Sequence, residues 1–280
     1  MASPQPKLPP SLDLIARTIA AEDAYTLSRL KVLERIPGNP IGVAYRIVDE
    51  GVTALMARHA NWPSFNSVRG LRAVHERHIE PLVQWYRENG VKGHFEMAPG
   101  FFHAELGREL HRLGYYQTEF HCSLIAAADA APTSNGIAVE RVTDAGVMEE
   151  YLDAYAAGWK FPENERERFK ANVRSWLREP DWSLYLARID GRAAAAAMLY
   201  LHHKVGYFAD AATDPAFRGR GLHTALLQRR WQDARAAGAD VVCSGAAFLS
   251  ASHRNMERVG MRLQFTRSIW ASIQPCPTTS

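Results

Sequence analysis

The stretch Ala211-Ala212-Thr213-Asp214-Pro215-Ala216-Phe217-Arg218-Gly219-Arg220-Gly221-Leu222-His223-Thr224 holds the residues whose types and spacing best suit chemistry. It reads as a strand end, an Asp-Pro turn, two glycines alternating with arginines, and a helix start. Glycines let the backbone approach a ligand closely and aim successive N–H groups into one concavity. The helix start adds N–H groups without carbonyl partners and the positive end of the helix dipole. Between Arg218 and Arg235 five arginines stand against one acid, Asp233. The guest that suits this turn is a pyrophosphate with further phosphate nearby. The spacing is neither Gly-x-Gly-x-x-Gly nor Gly-x-x-x-x-Gly-Lys-Ser/Thr, so neither a dinucleotide fingerprint nor a P-loop is expected.

The elements around this turn can be read from pattern. A strand over 137–142 leads to a helix from about Ala145, capped by Thr143. Pro162 opens a second helix that runs to about Arg178. Strands over 183–189 and 192–201 flank Asp190-Gly191, a strong hairpin signal. His202-His203-Lys204 turns into a strand over 205–212, and the glycine turn follows. A helix over 221–237, a buried strand over 239–244, a short helix over 250–258 and a strand over 263–273 close the chain.

The first half follows a similar plan. Ser11 caps a helix that Pro37-Gly38 stops. Strands over 41–48 and 52–60 are joined by Asp49-Glu50-Gly51. Then come a helix over 72–88, a strand over 91–97, a helix ending at Gly114 and a strand over 116–125. Residues 126–136 are small, polar and punctuated by Pro and Gly, which is linker chemistry. The expected domains are therefore 1–127 and 137–280, joined by 128–136.

The halves also match residue by residue. His111-Arg112-Leu113-Gly114-Tyr115, with Phe120 and Ser123-Leu124, parallels Glu257-Arg258-Val259-Gly260-Met261, with Phe265 and Ser268-Ile269. Phe102 and Arg108 stand at the same offsets from Gly114 as Phe248 and Arg254 from Gly260. Arg69-Gly70-Leu71 precedes a helix, as Arg220-Gly221-Leu222 does. Matches in the same order point to a duplicated unit.

Composition bounds the partners. The 280 residues are 47% hydrophobic and 22% charged, ordinary globular usage, and long enough for about two domains. Lys plus Arg is 33 against 30 acids, a net charge of +3, which does not favour nucleic acid. Cys122, Cys243 and Cys276 stand far apart, which excludes a zinc ribbon and argues against a disulfide scaffold. His75 and His78 lack a third ligand and read as a solvated helix face, so no metal is expected. No signal peptide is evident, and the longest apolar run, 193–201, is too short for a membrane span. A cytoplasmic protein, monomer or homodimer, without a membrane partner, is the expectation.

Arg218-Gly219-Arg220-Gly221-Leu222-His223 resembles the phosphate loop of the GNAT acetyltransferase superfamily, Gln/Arg-x-x-Gly-x-Gly/Ala, with His223 where Gly or Ala is usual. The resemblance covers 137–273, and 254–261 looks like that family's helix ending in Gly-Phe. The first half resembles a degraded copy, with Val68 in place of the first loop glycine. The resemblance implies an α/β (α+β) fold of two tandem acyltransferase-like domains, each a mixed, mostly antiparallel sheet flanked by helices. It implies acetyl-coenzyme A as cofactor. Gly219, Arg220, Gly221, Leu222, His223 and Thr224 would hold the pyrophosphate beside Arg218. Ala211, Ala212 and Thr213 would pair with the pantetheine arm, and Asn255 would contact the cofactor.

Acyl transfer to an amine needs a deprotonated nucleophile, because lysine-like amines titrate at ~10.4. Asp210 is the candidate base, and a strand N–H near Ala211 or Ala212 the candidate donor to the acyl oxygen. The usual acid of the resembled family is a Tyr at the position Met256 occupies; Ser252 and Ser244 are the substitutes. Trp159-Lys160-Phe161-Pro162 falls where that family recognises acceptors. The reading is an N-acetyltransferase acting on a small-molecule or amino-acid-like amine in a ternary complex. The alternatives are a non-catalytic acyl-coenzyme A sensor, or transfer to a protein or aminoacyl-tRNA amine.

Overall fold

The computed structural model describes residues 8–49, 51–60 and 62–272. Residues 1–7, Glu50, Ile273 and Cys276, which figure in the readings above, lie outside them. Two compact units divide the chain, and they interleave along it. One comprises the described residues up to Ala21 with Ser123–Gln264; the other comprises Glu22–Cys122 with the described residues from Phe265. Helix α1 (Leu12–Glu34) and strands β5 (Tyr115–Ala127) and β11 (Arg262–Ser272) each contribute to both.

In the 22–122 unit the strand order is β1-β2-β3-β4-β11-β5, with β1 (Val43–Asp49), β2 (Val52–Ala57), β3 (Ser67–Arg69) and β4 (His94–Met97). Strands β1, β2 and β3 pair antiparallel, and β3 pairs with β4 in parallel. Strand β3 was not anticipated, because three residues are too few to show a period. The helix expected over 72–88 begins as a 3-10 turn, Ala73–His78, before α2 (Ile79–Glu88). His75 is buried rather than solvated, its Nδ1 accepting from the Arg72 N–H at 3.0 Å. Helix α3 (Ala104–Arg112) completes this unit.

In the 123–264 unit the order is β5-β10-β9-β8-β7-β6, with β6 (Val139–Arg141), β7 (Trp182–Ile189), β8 (Arg192–His202), β9 (Val205–Thr213) and β10 (Val241–Ala247). The pairings repeat the pattern: β7, β8 and β9 are antiparallel, and β9 is parallel to β10. The fold is thus mixed and mostly antiparallel, flanked by helices, as expected. Asp190 and Gly191 both take positive φ (52 and 74), the geometry of a two-residue hairpin turn. The apolar run 193–201 is a central strand, with Ala194–Ala197 fully buried between α4 (Ala145–Trp159) and α6 (Leu222–Ala236). Helix α4 is capped by Asp144, not Thr143: its carboxylate accepts from the N–H groups of Gly146 and Val147. Helices α5 (Glu163–Arg174) and α7 (Ala251–Arg258) complete the unit.

The stretch 126–136 packs along α6. Trp231 Nε1 donates to the carbonyls of Ala127 and Ala128, and Asn135 bonds both Gln228 and Gly221. Among the described residues, no helix is long and apolar enough to cross a membrane.

Candidate active site

Strand β9 carries Asp210, and its alternation is broken there. Gly206 and Phe208 face α6: a Cβ added at Gly206 would lie 2.8 Å from Ala234 Cβ, and the Arg230 guanidinium lies 4.9 Å from the Phe208 ring centre. Regular alternation would send Ala212 to the same side. Instead Ala212 packs on α4, where a Cβ on Gly158 would lie only 2.6 Å from its own Cβ. The cause is a one-residue bulge. Met198 pairs with Ala209 and Ala196 with Ala212, so Asp210 and Ala211 together oppose Ala197. Asp210 sits at φ 47, a left-handed conformation that Asp tolerates better than most residues.

Beside the bulge the sheet comes apart. The parallel pairing of β10 with β9 runs from Val241–Val205 only to Cys243–Tyr207. One side chain closes it, Ser244 Oγ donating to the Phe208 carbonyl at 2.7 Å. Beyond that point 209–213 and 245–247 share no ladder, so the bulged segment presents a backbone edge where β10 departs. The side chains there are small, Ala211, Ala212 and Thr213.

The same strand feeds the glycine turn. Asp214 Oδ1 accepts from the Ala216 N–H at 2.9 Å, starting a 3-10 turn over Pro215–Phe217 that buries Phe217. Gly219 and Gly221 follow at φ 76 and 80, and Gly221 caps α6. A Cβ on Gly219 would meet nothing within 4 Å, so the turn opens to solvent. No side chain caps α6, and among the described residues the N–H groups from Gly219 to Thr224 find no acceptor. These donors and the helix dipole give the turn an electropositive concavity.

The arginines do not form the basic patch their spacing suggests. Arg218 folds back toward the carbonyls of Thr213 and Gly158, and Arg220 pairs with Asp190 at 3.3 Å. Arg229 pairs with Asp233, and Arg230 points inward and is buried. Only Arg218 and Arg220 belong to the turn; the rest of the excess is distributed along α6.

Helix α7 approaches the turn through a braced pair. Asn255 Nδ2 lies 3.1 Å from His223 Nδ1, while its Oδ1 accepts from Arg258 at 2.7 Å. Burial first, and the nearby Arg230 charge second, hold His223 down at about 3, so its ring is neutral and Nδ1 accepts. Ser250 caps α7 by accepting from the His253 N–H at 3.1 Å. Ser252, in the first turn, makes no side-chain hydrogen bond among the described residues. Met256 is buried, 1% exposed, and carries no proton to give.

Of the aromatic pair at the end of α4, Phe161 stacks on Phe169 at 3.8 Å and so belongs to an aromatic core with Tyr155. Trp159 remains 52% exposed, next to the close contact at Gly158. Gly158 and Arg230 are the residues that pattern reading missed. A signal for Arg230 existed: Leu222, Leu226, Arg230 and Ala234 recur every four residues on one buried stripe of α6.

Residues 124–247 match the family model described as an acetyltransferase (GNAT) domain. A GCN5-related N-acetyltransferase from Kribbella flavida is similar in structure, with a TM-score of 0.65 at 14% identity over 92% of this chain and 95% of that one. One from Sphaerobacter thermophilus gives 0.56 at 17% identity over 92% and 90%. A functionally unknown conserved protein from Staphylococcus epidermidis gives 0.60 at 13% identity over 86% and 96%. At these identities the likeness is one of fold. No curated protein matches the chain.

Proposed function

We propose, from the premise that residues 124–247 are a GNAT acetyltransferase domain, that the protein moves an acetyl group from acetyl-coenzyme A to an amine of a small-molecule or amino-acid-like acceptor, by direct attack while both are bound. The observation that carries this reading is the bulge at Asp210–Ala211 beside the point where β10 leaves β9. It joins an unpaired strand edge, a carboxylate and a solvent-open turn of unpaired N–H groups within one continuous segment.

These residues fit the cofactor. The N–H groups of Gly219 to Thr224 would hold the pyrophosphate, beside Arg218 and Arg220. The edge of Ala211, Ala212 and Thr213 would hold the pantetheine arm as it would an added strand, and their small side chains leave room. The Asn255–His223 pair keeps the start of α6 in place against α7. When bound, acetyl-coenzyme A supplies the activated thioester.

The remaining chemistry falls to the bulge. Asp210 takes the proton from the acceptor amine, and a backbone N–H at Ala211 or Ala212 donates to the acyl oxygen. Trp159 offers an aromatic face to the acceptor. No acid on α7 is needed, because a thiol of pKa ~8.5 leaves near neutral pH with little help; Ser252 is the nearest substitute on that helix. Buried Met256 also favours a second reading, an acyl-coenzyme A-binding module without turnover. Thiol release from acetyl-coenzyme A across a panel of amines separates the two. The enzyme reading expects release that depends on an amine; binding without release for any amine would overturn it.

A further inference from the structure

Arg230 is a charged side chain only 1% exposed, and it lies beneath the bulge. Its Nε donates to the Leu226 carbonyl at 3.0 Å, within α6. Its Nη1 reaches the sheet and donates to the carbonyls of Met198 at 2.9 Å and Ala209 at 3.2 Å. Those two residues form the last register pair before the bulge. The ladder breaks at that point, and one guanidinium supplies a donor to both of its carbonyls. Buried carbonyls left without donors are costly, so the bonds favour the bulged register over a regular one.

The placement is expensive. Burial lowers the guanidinium from its ordinary value to about 10, against the attraction of Tyr185, Tyr151 and Asp210. At neutral pH it is still charged, and its hydrogen bonds go to carbonyl dipoles. An apolar side chain of similar length would pack there without that desolvation cost. A charge kept at such a position, in attraction with Asp210, points to a role in the site.

We propose that Arg230 is a positioning residue, whose guanidinium fixes the bulge in β9 and so aims Asp210. This rests on the acetyltransferase reading, but part of its test does not. Two variants separate shape from charge: Arg230→Met removes both donors and charge, and Arg230→Lys keeps the charge while losing the fork. In Arg230→Met, amide exchange in a peptide covering 205–213 is expected to rise at least about 10-fold, with the rest of the chain unchanged. With an acceptor amine, kcat is expected to fall about 100-fold while the Kd for acetyl-coenzyme A stays within about 3-fold. Arg230→Lys should recover about 10-fold of that loss.

Unchanged exchange over 205–213 in a folded Arg230→Met protein would overturn the proposal, as would a loss shared equally by kcat and cofactor affinity. If Arg230→Met does not fold, Arg230→Lys decides: raised exchange over 205–213 supports the proposal and wild-type exchange sinks it. If the wild type turns over no amine, the acetyltransferase reading fails, and the exchange measurement still judges Arg230.

Discussion

Arg69-Gly70-Leu71, at the end of β3, and Arg220-Gly221-Leu222, at the start of α6, carry the same three residues, with the glycines at φ 79 and 80. The spaces around them are opposite. A Cβ on Gly70 would sit 1.7 Å from the Gly51 carbonyl oxygen, so backbone closes that turn. Arg69 is buried among Glu22, Asp23 and Glu96, at 2.6 to 3.2 Å. The N–H at the start of the following turn already meets His75, and Val68 is buried where the second turn has open Gly219. At Gly221 a Cβ would touch only the side chains of Asn135 and Ile137, Arg220 is exposed, and the helix start is uncapped. Backbone conformation is therefore common to both turns, and what fills the space divides a closed structural joint from a turn open to solvent.

Substituting the two arginines gives the widest contrast. Arg69→Met leaves three carboxylates facing Arg267 alone, and is expected to destabilise by about 3–5 kcal/mol. Arg220→Met removes an exposed pair and is expected to cost less than about 0.5 kcal/mol. Chemical denaturation measures both, and equal losses would erase the distinction. Gly70→Ala should cost about 3 kcal/mol or more, against about 1–2 kcal/mol for Gly219→Ala, whose penalty is left-handed strain alone.

A pH effect follows from the buried cluster. Burial, with Glu22 adding to it, raises Asp23 to about 6 despite the opposing arginines. Its contribution to stability is full below its ordinary 3.8 and is lost as pH rises through about 6. Burial also pushes Glu22 upward, but Arg267 and Arg69 outweigh it and hold Glu22 at about 2, so its contribution is lost as pH falls below 4.5. Stability from this cluster is expected to peak between about pH 3.8, the ordinary value of Asp23, and 4.5, that of Glu22. Asp23→Asn should remove the decline that runs from that window to about pH 6, on the order of 3 kcal/mol. A decline that persists in Asp23→Asn would assign it elsewhere.

Features governed by neighbours in sequence were legible. Ser11 caps α1, its Oγ accepting from the Leu14 N–H at 3.1 Å, because capping is a contact three residues long. Asp190-Gly191 and the glycine turn were visible for the same reason. The bulge was not: register is set by the partner strand, and nothing between Ala209 and Thr213 says that Ala197 must oppose two residues. Arg230 looked like its neighbour Arg229 until the four-residue stripe on α6 is followed. Nor does any local signal report that α1, β5 and β11 each serve both units, since that depends on contacts far along the chain.

We propose that, of the two turns, only the second holds acetyl-coenzyme A. Calorimetric titration of acetyl-coenzyme A into the wild type and Gly219→Asp tests it most directly. The expected result is one site per chain, with affinity reduced more than about 100-fold in Gly219→Asp because a carboxylate fills the cradle, while the protein stays folded and loses no more than the left-handed strain of about 1–2 kcal/mol. Unchanged affinity in Gly219→Asp, or a second site of equal strength in the wild type, would contradict it.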